Sequence, residues 1–557
     1  MDPIGASCIS FHFQENEEAI LKEQQQDEKF NQIIASCRSL SYYDGKTFKT
    51  YLPQVIAAFV AALYHVAGGI SASYSGILMP FLQRNITNDT FDSDLTATTA
   101  ECSWIASVVV LIVPAGAISG GFIMDSIGRL NTIKLATVPT ILGWCLIAAA
   151  TNVNMIIAGR LFCGFGSAWG TIPATVYISE ISRADLRGAL VSFTPTLASL
   201  GMLICFAKGS FLHWRTVAWM ANLYVVVSVV LLFLIPESPA WLISKGRDEE
   251  AAASLRWIHK YQPQPQNRNE SMAELQLDFM QREHRKKLAE QAKKGKFGAK
   301  AKFNMFFTPI VLKPFLIISG LFFFQQFSGI YSTLFYSVSF FEAVGTSVNP
   351  FLASVFLALV RMLGSCANTY MLRRFSRRPL VITSGIGMAI SIGLSGLFTY
   401  WIKAGTSDQT WVPVALLVMY VVTCMIGLLP LPWTITAELF PIEIRGVANS
   451  LSFSMANVFM FGAIQSFWTM DRLFGGMAGI QWFYAAVAFI SSIYSFIFLP
   501  ETHRKKLTEI SEYFLTNTIY LGSTKSAGKL QHNRVSKEHS AELNIEQGET
   551  LLVNGKD

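Results

Sequence analysis

Glu180-Ile181-Ser182-Arg183-Ala184-Asp185-Leu186-Arg187-Gly188 and Glu438-Leu439-Phe440-Pro441-Ile442-Glu443-Ile444-Arg445-Gly446 carry one pattern twice: a glutamate seven residues before an Arg-Gly pair. Pro236-Glu237-Ser238 returns as Pro500-Glu501-Thr502 at a similar offset, about 260 residues. Ordered matches at one offset indicate a duplicated half-chain, so whatever one half forms, the other forms again.

Outward from these landmarks the sequence is mostly apolar. Of 557 residues, 52% are hydrophobic and 15% charged, against about 25% charged in an ordinary soluble domain. Too few polar residues remain to coat a water-facing surface. A membrane-crossing helix needs about 20 mainly apolar residues. Windows of that kind begin near Gln54, Ser103, Asn131, Met155, Gly188 and Trp214, then near Val311, Pro350, Pro379, Trp411, Gly446 and Gly479. Each repeat thus holds six. The expected fold is an all-α membrane protein of twelve transmembrane helices in two pseudo-symmetric six-helix halves. The expected divisions are a tail over 1–50, a half over 51–236, a partly helical central loop over 237–310, a half over 311–500 and a tail over 501–557.

The charge of +7 does not point to nucleic acid, because the basic residues fall between apolar windows and read as topology signals. Arg129, Lys134, Arg183, Arg187, Arg373, Arg374, Arg377, Arg378 and Arg445 lie in loops on one side; Arg84, Lys208, Arg215, Lys403 and Arg472 lie on the other. The positive-inside rule places both termini and the central loop in the cytosol. The sequence before residue 50 lacks the basic start and short apolar core of a signal peptide. Asn85-Ile86-Thr87 and Asn88-Asp89-Thr90 are sequons in the first outside loop, which makes Asn85 and Asn88 candidate glycosylation sites on a plasma-membrane protein. The cysteines show no metal spacing, and no nucleophile–base set or phosphate loop appears, so neither cofactor, metal nor enzymatic activity is expected.

Four motifs carry a family resemblance. Gly120-Gly121-Phe122-Ile123-Met124-Asp125-Ser126-Ile127-Gly128-Arg129 resembles the loop between helices 2 and 3 of major facilitator proteins. Pro236-Glu237-Ser238-Pro239-Ala240-Trp241-Leu242 is similar to the sugar-porter signature after helix 6. Gln325-Gln326-Phe327-Ser328-Gly329-Ile330 and Pro430-Leu431-Pro432-Trp433 resemble that family's helix 7 and helix 10 signatures. Within the sugar porters, the chain looks most like the insect facilitated trehalose transporter and glucose transporter-like branch. The resemblance implies a major facilitator fold and alternating-access transport of a hexose, trehalose or polyol, by a protein that works as a monomer in the lipid bilayer.

A sugar needs hydrogen-bonding amides and an aromatic ring to stack on. Gln325 and Gln326 offer amides mid-membrane, with helix-to-helix bonding as the alternative use. Trp433, behind two prolines, is the candidate ring. Thr196, Tyr331, Arg361 and Asn457 complete the candidate binding set. Asp125, Arg129, Glu180 and Arg187 sit at helix ends in the first half, and Arg377, Glu438 and Arg445 in the second. Opposite charges there are candidates to lock the halves together in one state of the cycle. Phe335 and Tyr336 are candidates for an outer aromatic gate or for core packing, and Arg160 for an outer brace or an interface marker.

Several positions depart from the family pattern. Pro195 stands where a glutamine is usual, Tyr331 and Arg361 where asparagines are, and Ala456 precedes Asn457 where the last asparagine is expected. Arg361 interrupts an apolar window, so it either contacts substrate or snorkels or pairs with a helix carbonyl. Helix 1 has no carboxylate in Gly68-Gly69-Ile70-Ser71-Ala72-Ser73-Tyr74-Ser75-Gly76, so passive uniport is expected over proton coupling. The alternatives are an organic-anion carrier on the same frame and a nutrient sensor that does not transport.

Overall fold

The computed structural model describes residues 48–83, 95–183, 186–262, 271–293, 308–440, 445–502 and 514. The sequons at Asn85 and Asn88 lie outside them. Among the described residues, twelve helices are long and apolar enough to cross a membrane. We number them α1 (Lys49–Gln83), α2 (Thr99–Ile127), α3 (Arg129–Ala148), α4 (Val153–Ile181), α5 (Arg187–Gly209), α6 (Trp214–Leu232), α7 (Ile310–Phe335), α8 (Pro350–Leu372), α9 (Arg377–Lys403), α10 (Val412–Thr436), α11 (Gly446–Gln465) and α12 (Met477–Phe498).

Local chemistry sets the helix ends. Thr98 and Glu101 form a reciprocal capping box at the start of α2. Asn152 accepts from Met155 N–H at the start of α4, and Asn349 caps α8 ahead of Pro350. Gly128, at φ 106°, makes a one-residue turn between α2 and α3 that a side chain would strain.

The chain divides into two compact units. One takes in the sequence up to Ala57 together with Pro236–Lys296. In it the helices Pro239–Ser244, Asp248–Ile258 and Met272–Lys293 bury Trp241, Leu242, Ile243 and Ala251, with Leu277 and Met280 packed alongside. Ser254 Oγ donates to Glu237 O over 2.8 Å, tying the second of these helices to the segment before the first.

The other unit, Ala58–Ile235 with Phe297–Asp557, holds the bundle. Its packing repeats. α1 lies on α5, α2 on α4, α3 on α4 and α6; correspondingly α7 lies on α11, α8 on α10, α9 on α10 and α12. The contacts between halves obey the same symmetry, α2 against α11 and α5 against α8. Between apolar helices in lipid, close approach of small residues replaces the hydrophobic drive. On α3 and α4 it is extreme: a Cβ on Gly159 would stand 2.6 Å from Gly143 O, and one on Gly166 1.9 Å from Thr140 Oγ1.

Candidate functional site

The site is built where α7 and α10 stop being regular. The first helical stretch of α7 ends at Phe327; Gly329 follows at φ 88°, and a short turn over Ser332–Phe335 resumes the climb. The ring of Tyr484 would lie 2.3 Å from any Cβ at Gly329, so the position needs glycine on both counts. In α10, helix stops at Ile426 and restarts at Leu431. Pro432 has no N–H to give the Leu428 carbonyl four residues earlier. That carbonyl and the next are taken up by Gln325, whose Nε2 donates to Leu428 O at 2.8 Å and Leu429 O at 2.7 Å. Tyr420 OH donates to Ser328 O at 2.8 Å and closes the join from the other side.

The two glutamines therefore have different surroundings. The Gln325 amide nitrogen is engaged by α10, and its Oε1 accepts from Gln326 Nε2 at 3.1 Å. Gln326 Oε1 is buried without a hydrogen-bond partner among the described residues. Phe322, one turn earlier on the same face, packs edge-on against Trp433 with centroids 4.7 Å apart, and Phe453 closes on that indole at 5.5 Å.

Tyr331, just past the break, interacts through its hydroxyl with both Trp433 and Arg361. The Arg361 guanidinium stands 5.9 Å from the centroid of the Tyr331 ring. Gln326, Tyr331, Trp433 and Arg361 thus converge on the α7–α10 break. Thr196 and Asn457 stand differently. Thr196 Oγ1 bonds Ser192 O at 2.9 Å and meets Ser365 Oγ at 3.3 Å, across the α5–α8 contact between halves. Asn457 Nδ2 is engaged by Phe453 O of its own helix at 2.8 Å.

The charged residues form one cluster in each half. Arg129, at the start of α3, makes a forked contact with Glu180, at the end of α4: Nε lies 3.0 Å from Oε2 and NH2 2.9 Å from Oε1. Asp125 adds a weaker contact at 3.5 Å. In the second half Arg377, at the start of α9, meets Glu438, just past α10, at 3.2 Å. Glu438 also accepts from Thr502 Oγ1 at 2.5 Å, while Glu501 accepts from the backbone N–H groups of Arg377 and Arg378. These pairs join helices of one half. Arg187 is exposed, with Ser182 O at 3.5 Å. Arg445 begins the helix of α11, and its side chain is outside the described set.

Among the described residues, further bonds between halves lie at the opposite end. Ser75 Oγ of α1 donates to Phe335 O at 3.0 Å, and Ser107 Oγ of α2 to Gln465 Oε1 at 2.6 Å. Trp104 meets Phe461 at 5.8 Å, and Phe81 meets Phe351 at 6.3 Å. Phe335 and Tyr336 are both buried here; Tyr336 donates to Ile464 O at 3.1 Å and stacks on Phe467. Close by, Arg160 is fully buried, with Nε donating to Ile105 O at 3.1 Å and NH1 to Ser71 O at 2.6 Å. It braces α1, α2 and α4. The sequence offered Arg160 as an outer brace without naming the helices it ties, and it gave no sign of the part played by Tyr420.

Residues 31–514 match the family model described as "Sugar (and other) transporter". Among curated relatives, the facilitated trehalose transporter of Drosophila pseudoobscura pseudoobscura is 30% identical over 498 residues, covering 89% of this chain and 55% of that protein. The facilitated trehalose transporter of Polypedilum vanderplanki is 29% identical, covering 89% of this chain and 94% of that one. The chain thus spans little more than half the length of the Drosophila relatives it matches. Among solved structures, the xylose transporter XylE of E. coli superposes with a TM-score of 0.64 over 80% of this chain and all of that one, at 19% identity. The last likeness shows the major facilitator fold, and the match across most of the sequence shows that the chain belongs to the sugar (and other) transporter family.

Proposed function

We propose that the chain carries a sugar or polyol across the plasma membrane by alternating access, as a monomeric facilitative uniporter with both termini in the cytosol. The observation that carries this reading is Gln326, a buried amide with an unpartnered acceptor. It lies beside an aromatic pair and next to a second glutamine that is already engaged. A buried amide oxygen without a partner costs about 1–3 kcal/mol, which a sugar hydroxyl recovers by donating to it. Trp433 offers the apolar face that a sugar ring also needs.

The end carrying Ser75–Phe335 and Ser107–Gln465 is bridged between halves, and in the proposed cycle opening it breaks those bonds while the pairs inside each half persist. Each half then moves as a body, hinging on the α2–α11 and α5–α8 contacts. Uniport is supported by the placement of acids. The carboxylates inside the twelve spans are Glu101, Asp125 and Glu180, each within three residues of a span end, so none is set to carry a proton at mid-membrane.

The test is uptake by purified protein in sealed liposomes, with labelled glucose, trehalose, inositol and glucuronate. Saturable uptake of at least one is expected, indifferent to the proton gradient and reduced about tenfold or more in Gln326→Ala. Absence of saturable uptake for the whole panel would refute sugar transport, and collapse of uptake with the gradient would refute uniport.

A further inference from the structure

Arg160 and Arg361 are the basic residues set deepest within the spans. They are handled in opposite ways. Arg160 is fully buried and bound to two backbone carbonyls, as a structural cation is. Arg361 stands at the centre of α8, is only half-buried, and makes no salt bridge or hydrogen bond to a backbone carbonyl among the described residues. Its neighbours are the Tyr331 ring and hydroxyl, and it is near enough to Tyr420 and Cys424 to act on them electrostatically. None of these carries a negative charge at neutral pH. The acids of the twelve spans all lie at span ends, so none of them supplies a counter-ion at this depth.

From this we infer that Arg361 is a specificity-determining residue and that the substrate is an acidic sugar or polyol with a single carboxylate. The inference rests on the sugar-transport reading, because Gln326 and Trp433 serve the rest of the ring. A guanidinium presents a planar fork that matches a carboxylate with two parallel hydrogen bonds. A cation without a counter-ion at mid-membrane is costly, and an arriving carboxylate removes that cost at the moment of binding. One fixed positive charge matches one negative charge. A phosphate ester, near two charges at neutral pH, would leave an excess negative charge in a low-dielectric site. The other departures agree. Tyr331 turns its ring toward the guanidinium, a favourable cation–π arrangement that holds it on this side of the break. Asn457 is engaged by its own helix, and Pro195 offers no amide at all, so donors for a neutral sugar are fewer on both walls.

The test compares labelled glucuronate, glucose and glucose 6-phosphate as liposome substrates for the wild type, Arg361→Gln and Arg361→Lys. For the wild type, glucuronate is expected to enter about 10- to 100-fold faster than glucose at equal low concentration, with glucose 6-phosphate far behind. In Arg361→Gln that ratio should fall to about threefold or less, because the amide keeps a donor and loses the charge. In Arg361→Lys it should stay between the two. The wild-type ratio needs no variant and stands even if one fails to fold, which size-exclusion elution reports. Uptake of glucose with glucuronate excluded would overturn the inference and leave sugar transport intact. Preference for glucose 6-phosphate, or a glucuronate ratio unchanged in a well-folded Arg361→Gln, would overturn it as well. Failure of all three probes together with trehalose and inositol would remove the underlying transport reading, and the inference with it.

Discussion

Gln325 and Gln326 are chemically identical neighbours with separable tasks. Gln325 satisfies two carbonyls that the broken α10 leaves without helical donors. Replacing it with alanine strands both in a buried setting, a loss of about 1–3 kcal/mol each. Gln325→Ala should therefore lower the melting temperature in detergent by several degrees, whereas Gln326→Ala should leave it nearly unchanged while cutting uptake. A thermal shift in Gln326→Ala equal to that in Gln325→Ala would refute this division. The sequence shows two adjacent amides and the Pro-Leu-Pro break. It does not show which amide faces which neighbour, because that depends on helix rotation, which the apolar pattern of an all-round hydrophobic span leaves undetermined.

At the scale of elements, the glycine seam between α3 and α4 makes the sharpest demand. Gly166 has no room for a side chain against Thr140, whereas Gly121 on α2 meets nothing within 4 Å. Gly166→Val should abolish recovery of monodisperse protein, since overpacking of a fixed seam costs about 1–3 kcal/mol or more, and Gly121→Val should be tolerated. Size-exclusion profiles of the two variants decide it; equal recovery would mean that the seam yields. The spans themselves were legible in the sequence. The windows expected near Ser103, Val311 and Gly479 begin at Thr99, Ile310 and Met477, and Pro350 opens α8 as expected. Hydropathy and proline placement govern those boundaries. The seam was not legible, because glycines scatter through most apolar windows and only packing reveals which ones meet.

For the whole molecule, the duplicated Glu–Arg landmarks mark the symmetry. The repeat of helix pairings follows from them, and the Arg129–Glu180 and Arg377–Glu438 pairs each tie together helices of one half. The Arg129 and Glu180 side chains are only 12% and 19% exposed, so the pair is better shielded from water than an ordinary surface ion pair. Arg129→Glu should lower the melting temperature and slow uptake, and the exchange Arg129→Glu with Glu180→Arg should recover a large share of both. If the double variant is as impaired as the sum of the two single ones, the pair is not coupled.

In the proposed cycle, Arg361 has an electrical consequence for the molecule as a whole. A positive charge without a counter-ion that shifts through part of the bilayer in each reorientation feels the membrane potential, worth about 2.3 kcal/mol per elementary charge for a full 100 mV. When the site holds a carboxylate, the moving body is neutral and the loaded step is blind to voltage; when the site returns without cargo, it moves as a cation. The potential then acts on the empty carrier alone, setting how fast it resets and on which face of the membrane it waits.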